Sequence, residues 1–149
     1  VKACGTILLI TGAGGAFGSV VQASGIGDYL VQVMTSWNMP ILILAYLFAQ
    51  ILRMALGSTT VALVTTSSVL GPVIAQLGVS PVLAVLAICA GGIGLSLPND
   101  SGFWVVTNFS GFEMRDTLKT WTVGGTLAGL VCLALVLVLS LFQGILPGL

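Results

Sequence analysis

Polar interruptions divide this chain into apolar runs of a length that suits a bilayer. The stretches 3–27, 29–52, 54–99 and 120–149 contain no charged residue, and a helix needs about 20 mostly apolar residues to cross a hydrocarbon core roughly 30 Å thick. The pattern predicts an all-α membrane protein, a single multi-span domain over 1–149. Its first span, 3–23, is interrupted by Gly12, Gly14, Gly15 and Gly18, each weakening a helix by about 1 kcal/mol relative to Ala. Asp28 caps a segment, 29–37, too short to span and expected in the interface with Trp37 in the headgroup belt. Residues 40–78 hold two apolar arms that meet at a tip, 57–60; they form either a re-entrant hairpin or two short spans joined by a tight turn. Residues 82–110 read as a span broken at 96–101, because Pro98, Asn99 and Asp100 cannot continue as regular helix without cost. Residues 111–119 read as an aqueous loop, and 120–143 as the last span, ended by Gly144, Pro147 and Gly148.

Composition strengthens this picture. Hydrophobic residues make up 57% of the chain and charged residues 5%, against about 25% charged in a soluble domain, which all but excludes a water-soluble globule. Net charge is zero and there is no basic run, so the electrostatic basis for nucleic-acid binding is missing. Cys4, Cys89 and Cys132 lie far apart with no His to join them, and are expected as buried, reduced thiols; neither a metal nor a cofactor is expected. The start at Val1, without a signal-peptide pattern, reads as a piece of a longer protein. Basic residues favour the cytoplasmic side. Lys2 and the loop bearing Arg115 and Lys119 fall on that side together, which puts the C-terminus outside.

Three clusters could carry chemistry. The string 11–18 invites a dinucleotide-binding reading, but the sixth position from Gly12 is Phe17 rather than Gly, and no soluble strand–helix alternation follows. Close helix packing through small residues, or an unwound cavity-lining segment, accounts for it better. Asn99, Asp100 and Ser101 are more informative, since an ionisable group inside a span costs roughly 2.5 to 3.5 kcal/mol on insertion scales and marks function by default. Asp100 either lines a wet cavity or, with Asn99, caps a helix in a surface loop. The third cluster is Arg53 with the tip residues Gly57, Ser58, Thr59 and Thr60. Arg53 and Gly57, four apart, share a helix face, and the guanidinium fork suits a carboxylate, on a substrate or on Asp100; the alternative is an Arg snorkelling at a cytoplasmic turn. Hydroxyls and free amides at 58–60 would cradle an oxyanion. Two interrupted apolar elements in one membrane domain are the pattern of secondary transporters, whose sites lie where broken helices meet. No nucleophile, base and orienting group stand together, so an enzyme is not expected.

The strings ITGAGGAFG and SGIGDYL (within 10–30), LRMALGSTTVA (52–62), NDSGFW (99–104) and LKTWTV (118–123) resemble, in this order, the C-terminal part of the gluconate:proton symporter family of bacterial inner-membrane permeases. The resemblance covers essentially the whole chain. It implies half of an inverted-repeat fold with paired re-entrant hairpins, and proton-coupled symport of gluconate or a related sugar acid or small hydroxy acid. Substrate-binding positions would be Arg53, Ser58, Thr59, Thr60, Asn99 and Ser101, with Asp100 the proton-coupling residue. Gly12, Gly14, Gly15, Gly57 and Gly102, with the glycines at 91–94, would serve packing or hinging. Where many members have a His shortly before Asn-Asp, this chain has Leu97 and Pro98, so the substrate could differ from gluconate. The implied partners are a small organic anion, protons, the lipid bilayer and the missing N-terminal half, with a homodimer left open. The competing readings are a Na⁺-coupled or exchanging anion carrier of the same superfamily, and a membrane scaffold or truncated product that transports nothing. The scaffold would leave Arg53 and Asp100 facing water.

Overall fold

Local start and stop signals set five helices among the described residues. The structure is a computed structural model of the chain and describes residues 39–145 together with Ala16, Ala23 and Ser24. The glycines expected to interrupt the first span (Gly12, Gly14, Gly15, Gly18) and the interfacial segment 29–37 lie outside the described residues, as do Lys2, Cys4, Asp28, Pro147 and Gly148.

Helix α1 (Ile41–Leu56) follows Pro40, whose carbonyl accepts from the amides of Ile43 and Leu44 at 3.0 and 3.3 Å. It stops at Gly57, which has φ of 62° and donates its amide to the Arg53 carbonyl at 3.0 Å. That left-handed conformation is the common helix stop and favours glycine. Ser58 immediately restarts the chain as the N-cap of α2 (Thr59–Gln76), its hydroxyl accepting from the Val61 amide at 3.5 Å. Helix α2 continues through Pro72. Ser80 and Pro81 then open α3 (Pro81–Ile93), with Pro in the first turn where its missing N–H is least costly. Residues 94–100 are not helical. Asp100 caps α4 (Ser101–Ser110), which ends at Gly111 with φ of 64°. Helix α5 (Met114–Ser140) contains one π-helical turn, Leu118–Thr122.

Every regular element among the described residues is a helix. Helices α2 and α5, of 18 and 27 residues, are long and apolar enough to cross a membrane. Helices α3 and α4, of 13 and 10 residues, rise only about 20 and 15 Å, short of the ~30 Å core. The last helix starts earlier than the apolar run suggested. Residues 111–119 had read as loop because of their four charges, yet helix begins at Met114 with Glu113 at its N-cap. Charges on exposed first turns do not oppose helix, and Asp116 near the N-terminus suits the helix dipole.

Helix α3 is central, packed against α1, α2 and α5. The core holds small residues at the crossings, Ala45 and Ala49 of α1 against Ala84 and Ala87 of α3, with Leu70, Val73, Leu83 and Ile88 filling around them. A Cβ on Gly91 would collide with the Tyr46 carbonyl and come 2.9 Å from the Ala49 Cβ; one on Gly129 of α5 would lie 2.7 Å from the Ala90 carbonyl. Backbones therefore approach closely at both crossings, the usual way membrane helices gain packing where lipid offers no hydrophobic drive. The cysteines depart from expectation. Cys89 is exposed and Cys132 half-buried, both free, because outward faces of α3 and α5 carry apolar side chains that a bilayer or further protein can solvate. Leu86, Leu127, Val131 and Leu135 are among these.

Candidate functional site

The two interruptions that the sequence singles out meet in space. Arg53 sits in the last turn of α1, where a cation is favoured by the helix dipole, and is 5% exposed; Asp100, capping α4, is 6% exposed. Arg53 Nη2 donates to Asp100 Oδ2 in a buried ion pair. Arg53 Nε donates to the Gly92 carbonyl at 3.3 Å, tying the guanidinium to the end of α3. Nη1 is buried with no hydrogen-bond partner. Of the two partners the sequence left open for Arg53, the structure supplies Asp100.

Asp100 is held on every side. Its Oδ1 accepts the Gly102 amide at 2.9 Å, the N-cap bond of α4. Its Oδ2 also accepts from the Ser96 hydroxyl, and its own amide donates to the Leu97 carbonyl at 2.8 Å. Leu97 and Pro98, which stand where the resemblance expects His, contribute backbone carbonyls: the Pro98 carbonyl accepts from Trp104 Nε1 at 2.8 Å.

Asn99 fastens the break to the tip. Its Nδ2 donates to the Met54 carbonyl at 2.7 Å, one of the carbonyls left open at the end of α1. A Cβ on Gly57 would collide with the Asn99 carbonyl, so close approach and positive φ both require glycine there. A Cβ on Gly92 would meet Leu63 Cδ2 of α2 at 2.5 Å, with Thr59 Cγ2 at an ordinary contact distance of 3.6 Å. Around the buried ion pair, Thr59, Thr60, Asn99 and Ser101 are exposed, and Ser58 and Gly102 are half-buried. The ion pair thus lies buried next to two helix starts, those of α2 and α4, whose polar residues are largely exposed.

Residues without an assigned role in the sequence reading also take part. Ser96 completes the cage around the ion pair together with the carbonyl of Gly92, one of the glycines expected to serve packing or hinging. Thr122, in the π turn of α5, donates to the Ser96 carbonyl. Thr126 Oγ1 accepts the Leu95 amide at 3.2 Å and donates to the Thr122 carbonyl at 2.7 Å. The available signal is the spacing of Thr122 and Thr126, one helical turn apart where the helix passes from its polar first turns to its apolar run.

An all-helical chain with two helices long and apolar enough to span a bilayer, and with a buried ion pair between interrupted helices, has the broken-helix pattern seen in membrane transporters. Comparison with known proteins makes the family definite. Residues 1–142 match the model of the GntP family permeases. The chain is 44% identical to the inner membrane permease YgbN of Escherichia coli over 83% of its length and 27% of the relative's. It is 41% identical to a gluconate permease of Bacillus licheniformis over 93% of its length and 31% of the relative's. It is 39% identical to the Gnt-II system L-idonate transporter of Escherichia coli over 94% of its length and 32% of the relative's. No solved structure gives a significant match. The chain belongs to the GntP permease family, and the family it resembled by motif is the one it matches. It spans about a third of the length of these relatives, which are named as permeases and transporters rather than as enzymes.

Proposed function

We propose that the full-length parent of this chain is a proton-coupled symporter of gluconate or a related sugar acid in the bacterial inner membrane, with its C-terminus periplasmic. The observation that carries the reading is the buried Arg53–Asp100 pair, with one guanidinium nitrogen buried and unpartnered, next to helix starts that carry exposed hydroxyls. Burial of both charges is the opposite of what a scaffold would need, since in that case both would face water.

The substrate carboxylate binds the unpartnered Nη1 of Arg53, which is buried in this conformation and opens to the substrate during alternating access. Its hydroxyls are met by Ser58, Thr59, Thr60, Asn99 and Ser101, and the first amides of α2, which have no partner within the helix, add donors for the anion. An arriving carboxylate competes with Asp100 for the guanidinium. A proton on Asp100 then restores the charge balance, so one anion and one proton enter together. The other part of the permease supplies the facing half of the site, as expected where repeats meet. Names of the relatives support the substrate class: gluconate and L-idonate are both sugar acids.

The test is pH-dependent gluconate uptake by the full-length parent and its Asp100→Asn variant. Loss of the pH dependence in the variant is expected. Uptake with an unchanged pH profile would sink the proton role of Asp100.

A further inference from the structure

The motif LKTWTV contains a second anchor for the ion pair. Helix α5 passes from α into one π turn over Leu118–Thr122 and back again. A π turn adds one residue without ending the helix, re-aiming the side chains that follow by about 100°. Such turns frequently accompany functional sites.

Here the turn places Thr122 at 7% exposed while its neighbour Trp121 stays outside. Thr122 Oγ1 donates to the Ser96 carbonyl, and the Ser96 hydroxyl donates to Asp100 Oδ2. One turn further on, Thr126 Oγ1 receives the Leu95 amide at 3.2 Å. Leu95 has φ of 49°, a conformation that a branched side chain rarely adopts and that persists only where the surroundings hold it. Two threonines of α5 thus grip consecutive residues of the break, and the second of these touches the carboxylate.

We infer that Thr122 and Thr126 are positioning residues for Asp100, and that they transmit the placement of α5 to the Arg53–Asp100 pair through Ser96. The inference rests on the proposed role of Asp100 in coupling. Among the described residues Arg53 is the charged group facing Asp100. Helices α2 and α3 carry no charge, the other titratable side chain on α1 is Tyr46, Cys89 of α3 is exposed, and Glu113, Arg115, Asp116 and Lys119 lie on the exposed approach to α5 and its first turns. No other charge on these elements stands between Thr122 and the pair. A hydroxyl without charge is therefore the connection from α5.

The experiment uses the full-length parent permease with Thr122→Val, which keeps shape and removes the donor, and Thr122→Ser, which keeps the donor. Gluconate uptake is measured against pH, and backbone hydrogen exchange is followed over 95–104, where the Gly102 amide reports its bond to Asp100. Thr122→Val is expected to move the midpoint of the pH profile by about half a unit or more and to speed exchange at Gly102, with Thr122→Ser restoring both. A profile and an exchange rate in Thr122→Val that match the parent would overturn the inference. If the parent does not take up gluconate, the substrate assignment fails by itself and exchange alone decides. Faster exchange in Thr122→Val but not in Thr122→Ser would then support the positioning role, and equal exchange in all three would overturn it.

Discussion

Arg53 and Asp100 each carry a charge that hydrocarbon does not solvate, and each removes most of the other's cost. Breaking such a pair from one side is worse than removing both, since it leaves a buried charge uncompensated, at about 3–5 kcal/mol. Arg53→Gln should therefore lower the unfolding temperature of the full-length permease in detergent markedly. Arg53→Gln combined with Asp100→Asn should recover much of that loss, while transport stays absent. A double variant less stable than Arg53→Gln would mean that the pair is not the unit described here. Gly57 gives a second prediction. Its φ of 62° and the Asn99 carbonyl packed on it make Gly57→Ala costly by more than about 1 kcal/mol, read as a lower unfolding temperature. These residues were legible in the sequence because a charge, an Asn and a glycine are conspicuous among apolar neighbours. The free choice of partner for Arg53 was not, since two residues 47 apart are joined only by the fold. Ser96, a single hydroxyl in the break, was quieter still, as were Thr122 and Thr126, because a hydroxyl in a helix commonly bonds back to its own backbone.

At the scale of elements, all-helical character followed from the apolar runs, and the stops at Gly57 and Gly111 from the residues that adopt positive φ. Two features were hidden. Charges in 111–119 masked the start of α5, because charge marks water and not loop. The π turn has no compositional signature, being a shift of one residue that only packing against the break reveals. Glycines in helices were legible as small-residue packing, and the structure separates those that are needed from those that are not. Gly91→Ala should weaken the α1–α3 crossing by about 1–3 kcal/mol, since its Cβ would meet the Tyr46 carbonyl. Gly71→Ala, inside α2 with nothing within 4 Å of the added Cβ, should instead raise stability by about 0.5–1 kcal/mol. Unfolding of both variants in detergent checks the pair. Equal losses would contradict the close crossing.

Across the whole molecule, apolar residues cover the outward faces of α3 and α5, the reverse of a soluble protein's surface. Cys89 lies on such a face. In a full-length variant whose other cysteines are replaced, Cys89 should resist a charged maleimide in intact membrane vesicles and react after unfolding in SDS. Labelling in intact vesicles would place that face in water. The interrupted helices converge on one buried ion pair, and everything proposed for transport passes through it. The most direct measurement is radiolabelled gluconate uptake by the full-length parent in proteoliposomes, with and without an imposed inward proton gradient. Accumulation above equilibrium that depends on the gradient is the predicted result. No accumulation by correctly inserted protein, or accumulation indifferent to the proton gradient, would contradict proton-coupled sugar-acid symport.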